Sequence, residues 1–482
     1  MRTLAERALW TAQVRGASYA DVRIVRREEE RITVKNGAVV AASHEVSLGF
    51  GVRVIADGAW GFAASSTLTA EEADRVAALA VQIAKASAMV PSRDPVRLAP
   101  CVPATARYVS PYRKDPFAVP LEEKVDLLMR ADAEMRRVKG IAVAEGNLVA
   151  FREEKTFASS EGSYIEQVLT ETGAGIQATA VKEGEVQNRS FPTSFGRQQL
   201  QKGYELVEEL DLVAHAGPTA EEAVALLSAP QCPAMVTTVI LEGSQLALQI
   251  HESCGHPTEL DRVLGTEASY AGTSFLTLDK MGSFRYGSPL VNIVADATVP
   301  EGLGSFAYDD EGVPGQRVYL VKEGRFVGYQ SSRETAAVLG QSSSGGMRAD
   351  GWANLPIIRM TNINLEPGEW ELDDLIADTD EGLYLATNRS WSIDDRRLNF
   401  QFGTEIAYEI RHGKLGRLYK NATYTGITPE FWGRCDAICN ARHFQMWGTP
   451  NCGKGEPPQT AHVGHGCAPA RFRQVQVGVM RE

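Results

Sequence analysis

Apolar residues recur along this chain in two rhythms, helical and alternating, and the changes between them mark its parts. Leu4, Ala8, Leu9 and Ala12 fall at helical spacing among charged residues, which predicts an amphipathic N-terminal helix rather than an apolar leader. Short β-rich runs follow at 21–25, 30–35 and 39–54. Ala70–Ala88 returns to helical spacing, with Ala73, Val76, Ala80, Ile83 and Ala84 near one face. Proline then crowds the chain at positions 91, 95, 100, 103, 111, 116 and 120, which excludes regular helix and central strand and reads as a semi-rigid connector. Residues 121–138 predict another helix, and 141–187 predict strands broken at Gly162, Gly173, Gly175 and Gly184. Gly217-Pro218 closes that region. Thr219 and Glu222 there predict a capping box for a short helix through Leu227.

From Met235 the pattern is mostly β. Met235–Leu241 is a β-branched run typical of a buried strand. Lys322-Glu323-Gly324 and His412-Gly413 each separate two short apolar runs and predict hairpins. Leu398, Phe400 and Phe402 alternate with polar neighbours, and Ser342–Gly346 is a Ser/Gly-rich loop free enough to move. The chain is expected to be α+β. An α/β N-terminal region of two subdomains, 1–90 and 121–230 around the 91–120 connector, precedes a predominantly antiparallel β domain, 231–482, that carries the site described next.

Composition narrows the classes. Hydrophobic content of 44% and charged content of 23% fit an ordinary globular chain of two or three domains. A net charge of −12, with no concentrated basic face, argues against direct nucleic-acid binding. No run approaches the ~20 apolar residues of a membrane span. Seven scattered cysteines suit a reducing compartment, so the expected location is cytoplasmic.

The sharpest chemical feature is His251-Glu252-Ser253-Cys254-Gly255-His256, following a helical stretch at 244–250. It differs from the zincin signature by one residue, its histidines lying five apart rather than four. Five steps of a regular helix rotate by ~500° and leave the imidazoles about 140° apart. Convergence on one ion therefore demands a distortion: a wider turn with an i→i+5 bond, or a helix that ends at Gly255. Without it, these are two helix-end histidines. A third donor stands far downstream at Cys452, lodged among Gly448, Pro450, Gly453 and Gly455 and expected on a constrained loop. Two imidazoles and a thiolate suit Zn²⁺ with one open position, whereas a lone Cys in a packed turn is a small hydrophobe.

Nearby patterns are weaker. Gly448 to Lys454 fits a phosphate loop, but Gly455 replaces its Ser/Thr and Pro457-Pro458 forbids the following helix. Cys435, Cys439 and His443 recur every four residues, which on a helix offers a second metal site; core packing is the favoured reading. Asp309-Asp310-Glu311-Gly312 lacks calcium-loop spacing and reads as an acidic turn. His462 and His465 are candidate transition-state donors or supports of the ligands.

In these residues the chain resembles the TldD/PmbA family of zinc metalloproteases, in its catalytic TldD-like branch. The likeness runs through the 17–61 region, 251–256, Phe306–Pro314, Arg359–Ile363 and Asn451–Gly455. It implies a zinc ion held by His251, His256 and Cys452, with Glu252 as catalytic base. The family's inactive partner subunits lack the HExxxH signature, which is intact here. The resemblance further implies short or unfolded peptides as substrates, and a homodimer or a heterodimer with an inactive TldE/PmbA-like homologue. The competing expectation is a non-catalytic, zinc-stabilised peptide-binding or adaptor subunit whose site is closed by a fourth ligand.

Overall fold

The computed structural model describes residues 1–90, 94–194 and 197–478. The first body is an eight-stranded sheet with helices on it. Helix α1 (Arg2–Val14) precedes strands β1 (Tyr19–Lys35), β2 (Ala38–Ala56) and β3 (Ala59–Ser65), then α2 (Ala70–Ala88). Strand β4 (Thr105–Val109) and helix α3 (Leu121–Arg137) lead into β5 (Ile141–Ser159), β6 (Tyr164–Lys182), β7 (Glu185–Phe191) and β8 (Gln198–Leu200). Helices α4 (Glu205–Leu210) and α5 (Leu212–Ser228) close this region. The strand order is β3-β2-β1-β5-β6-β4, with β7 and β8 also on β6. Two cores form on the one sheet. Alanines and valines of α1 and α2 pack on β1–β3, and α3 and α5 pack on β5 and β6.

Strand β9 (Met235–Leu241) and helix α6 (Gly243–Ile250) open the C-terminal region. There follow β10 (Ile293–Asp296), β11 (Arg317–Lys322), β12 (Arg325–Phe326), β13 (Met347–Arg348), β14 (Ile357–Ile358) and β15 (Asn362–Leu365). Then come β16 (Glu381–Ile393), β17 (Asn399–Arg411), β18 (Lys414–Tyr419), β19 (Thr423–Ile427) and β20 (Cys435–Ile438). The chain ends in β21 (Gln445–Lys454), β22 (Gln459–Cys467) and β23 (Ala470–Val477). One sheet runs β12-β11-β10-β15-β22-β21. In the other, β16-β9-β23-β19-β17 closes on itself because β17 also pairs β16. Closure gives each of these five strands a partner on both sides, while β18 and β20 lie outside the ring on β17 and β23. Most ladders are antiparallel, as expected; β4 with β6, β9 with β16 and β15 with β22 are parallel.

Several local expectations are corrected. The runs at 21–25 and 30–35 are one strand, β1, whose charged middle is held by cross-strand pairs such as Arg26–Glu154 and Arg27–Glu153. Gly173 and Gly175 do not interrupt β6. Gly217-Pro218 does not end a helix: α5 runs through it, capped by Asp211 rather than Thr219, with Ala216, Ala220 and Ala223 buried against the sheet. Ser342–Gly346 is pinned, since Ser331 N–H donates to Ser344 Oγ at 2.7 Å and Ser343 Oγ donates to Ser331 O at 3.0 Å. Residues 91–93 of the expected connector lie outside the described residues. The rest includes the short strand β4 and is tied to the C-terminal region where Arg333 Nε donates to Ala99 O at 2.8 Å. Among the described residues no helix is long and apolar enough to cross a membrane.

Candidate metal centre

Helix α6 begins at Glu242, whose carboxylate accepts from Ser244 and Gln245 N–H. It does not continue regularly. Residues His251–Gly255 form one π turn, closed by His256 N–H donating to His251 O, and His256–Thr258 tighten into a 3₁₀ turn. This is the wider turn that the five-residue spacing demands. It brings the two imidazoles to 4.9 Å between centroids, with planes 89° apart.

A π turn disturbs the helix ladder, and side chains satisfy the carbonyls there. Tyr286 OH donates to Ser253 O at 2.8 Å, Thr258 Oγ1 to Cys254 O at 2.8 Å and Gln330 Nε2 to Gly255 O at 2.8 Å. Trp432 Nε1 donates to Ser253 Oγ at 2.9 Å. Gly255 gives room to the buried Met360, since a Cβ there would come within 2.3 Å of Met360 Sδ and that side chain would have to shift.

Cys452 arrives on β21, not on a loop, beside a register shift between Thr449 and Cys452 in the β21–β22 hairpin. Its Sγ lies 3.7 Å from His256 Nε2, and the ligand atoms of His251, His256 and Cys452 all lie within 4.8 Å of one another. Among the described residues this is the one cluster of at least three His, Cys, Asp or Glu donors tight enough to hold an ion.

Hydrogen bonding fixes which nitrogens point inward. His465 Nδ1 faces Ile363 O at 3.3 Å, and a carbonyl can only accept, so that nitrogen carries hydrogen. Burial holds His465 neutral, its pKa well below the usual value, leaving Nε2 as an acceptor. His251 Nδ1–H therefore donates to His465 Nε2 at 2.8 Å and frees its own Nε2. Likewise His256 Nδ1–H donates to Glu259 Oε2 at 2.9 Å and turns its Nε2 toward Cys452. Burial also pushes the His256 pKa well down. Burial disfavours a charged His251 too, but the Cys452 thiolate outweighs it and the pKa rises. Burial likewise opposes the Cys452 thiolate, yet His251, His256 and Arg359 hold that thiol well below its usual range. A soft sulfur with two lone-pair imidazole nitrogens fits zinc.

Of the two candidate supports that the sequence offered, His465 stands behind His251, whereas the support of His256 by Glu259 and Lys454 was not assigned. Glu259 is 3.6 Å from Lys454 Nζ, which also donates to Asp261 Oδ1 at 2.7 Å and Ile358 O at 2.7 Å. Lys454 thus ties the Cys452 strand to the carboxylate that orients His256. Glu252 is 6% exposed, and its Oε2 accepts from Arg397 Nη1 at 2.5 Å. His462 lies elsewhere. Strand alternation points it away from the face of His465, and its Nδ1 is 2.6 Å from Glu171 Oε2 on β6. Cys435 and Cys439 lie in and beside β20 rather than on a helix. They are core residues, their thiols raised to about 12 by burial, while His443 bonds Glu371.

Family models match three stretches: the PmbA/TldA metallopeptidase domain 1 at residues 20–84, the central domain at 114–229 and the C-terminal domain at 234–478. The chain belongs to the PmbA/TldD family. Its relatives include a metalloprotease of Methanocaldococcus jannaschii, 31% identical with 93% of this chain and 95% of that one covered. A protein named zinc metalloprotease TldD homolog, from Saccharolobus solfataricus, is 24% identical over 97% of this chain and 98% of its own. Similar crystal structures include a putative modulator of a DNA gyrase from Thermotoga maritima. It has a TM-score of 0.78 and 17% identity, covering 99% of this chain and all of that one. TldE from Thermococcus kodakarensis follows at TM-score 0.73 and 16% identity, covering 98% of this chain and 99% of that one. As a PmbA/TldD protein the chain is of the metalloprotease kind.

Proposed function

We propose that this PmbA/TldD protein is a zinc-dependent peptidase of the HExxxH type that hydrolyses short or unfolded peptides. The observation that carries the reading is the convergence of the ligand atoms of His251, His256 and Cys452 within 4.8 Å of one another, next to Glu252 in the chain. His251, His256 and Cys452 would hold Zn²⁺. Bound there, the ion would acidify a water at its open position and polarise the scissile carbonyl. Glu252 takes the proton of the attacking water and returns it to the leaving amine. His465 and Glu259 keep the ligand imidazoles in the required tautomers.

The strand carrying Cys452, β21, ends its sheet, with Gln198 of β8 bonded to its Met446 O and Gly448 N–H and the 449–451 stretch lying beyond that contact. A peptide laid along such an edge binds through its backbone, which favours unfolded segments of varied sequence. A zinc-stabilised adaptor would need a fourth protein ligand. Three donors gather among the described residues, and Glu252 is turned to Arg397 instead. We also propose that the chain assembles as a homodimer or with a TldE/PmbA-like homologue, and works in the cytoplasm.

The test incubates zinc-loaded wild-type and Glu252→Gln proteins with an unstructured peptide mixture, with and without chelator. Cleavage by the wild type should stop with chelator. Glu252→Gln should keep one zinc per chain while its rate drops by about 10²–10⁴-fold. Chelator-resistant cleavage, or an active Glu252→Gln protein, rules this mechanism out.

A further inference from the structure

We propose that Arg397 is a further catalytic residue, the cationic donor that receives the negative charge developing on the scissile carbonyl oxygen. This rests on the peptidase reading above. Peptide hydrolysis through a tetrahedral intermediate needs such a donor, aimed in advance at the place where charge appears. The two histidines that sequence offers are placed otherwise: His465 supports His251 from behind, and His462 bonds Glu171 on another face. Of the buried or half-buried cations around the site, Arg359 bonds Cys452 O and Gln459 O, Lys454 bonds Asp261 and Ile358 O, and Arg262 bonds Ala271 O and Thr273 O. Arg397 alone of these four points at the reacting side chain, 2.5 Å from Glu252.

Its construction supports the assignment. Arg397 has φ +64°, an uncommon conformation for a residue with a Cβ. Neighbouring contacts hold it there. The Asp394 carboxylate accepts from Arg396, Leu398 and Asn399 N–H, Thr428 Oγ1 donates to Arg397 O at 3.0 Å, and Phe275 N–H donates to Arg396 O at 2.9 Å. These bonds fix the backbone from which the Arg397 side chain reaches Glu252. The guanidinium has five N–H donors, of which one holds Glu252, and its Nε is buried without a partner. The fork can therefore orient the base and still offer N–H groups to an oxyanion. In the step, water gives a proton to Glu252 as its oxygen bonds the carbonyl carbon. The carbonyl π pair moves onto oxygen beside Arg397. On collapse the C–N bond breaks and Glu252 protonates the departing amine.

The test uses full-length, zinc-loaded protein and the substitutions Arg397→Met and Arg397→Lys. A phosphinic peptide that mimics the tetrahedral intermediate is titrated calorimetrically, and kcat and KM are measured on the matching amide peptide. Arg397→Met should lose about 100-fold in phosphinic affinity and in kcat, with KM and zinc content unchanged and partial recovery in Arg397→Lys. Unchanged phosphinic affinity, an equal loss in KM, or loss of zinc from both variants overturns the proposal. Intact cleavage in Arg397→Met removes Arg397 alone. A zinc-loaded wild-type protein that cleaves nothing removes the peptidase reading, and the catalytic role of Arg397 falls with it.

Discussion

At the scale of single residues, the centre is organised by what sits behind each donor. His465 and Glu259 touch no reacting atom, yet they decide that Nε2 of each ligand histidine carries the lone pair. A neutral amide at position 259 would hold the His256 ring less firmly and weaken its basicity. Glu259→Gln should therefore lower zinc affinity by about 10–100-fold, read by competition with a metal chelator. An unchanged affinity would make Glu259 a partner of Lys454 only.

At the scale of elements, the decisive one is the single π turn at His251–Gly255. Its local geometry is costly, and the surrounding core compensates through Tyr286, Trp432, Thr258 and Gln330. Gln330→Leu removes the Nε2 donor to Gly255 O and to Thr258 Oγ1. The expected cost is about 1–3 kcal/mol in urea unfolding of the metal-free protein. Helix α5 illustrates the same override. Pro218 lacks the N–H that a helix interior uses, but burial of the small residues around it outweighs that loss.

At the scale of the molecule, the N-terminal sheet joins the C-terminal region through buried charge. Expected as an acidic turn, Asp309-Asp310-Glu311 is a buried junction. Lys155 Nζ donates to Asp310 at 2.7 Å, Arg53 lies 3.3 Å from Glu311 and 2.7 Å from Asp21, and Arg333 N–H donates to Glu311 at 2.6 Å. Arg53→Met would strand two buried carboxylates, and we expect a loss of about 3–5 kcal/mol by chemical denaturation. Burial and the neighbouring Glu311 charge raise Asp309 to about 8. The folded state thus keeps a proton that the unfolded chain releases near 4. This contribution to stability is full below that unfolded value and is lost as pH rises through about 8. The unfolding midpoint should fall as pH rises from about 4 to 8, and Asp309→Asn should flatten that slope.

How much of this could be read in advance depends on range. Helices α1, α2 and α3, strand β9 and the two hairpins were legible because their periodicity is local. The five-residue spacing of His251 and His256 also required a distorted turn, since helix geometry alone forbids convergence. Cys452 could be named but not placed on a strand, because glycines and prolines there suit a bulged hairpin as well as a loop. Arg397, Glu259 and Lys454 carried no local signal of their contacts. The sequence by itself determined the alternation of elements and the donor types. Only the tertiary structure decided the tautomers, the partner of Glu252 and the buried junction, because each depends on groups that meet across long stretches of chain and on the desolvation that follows.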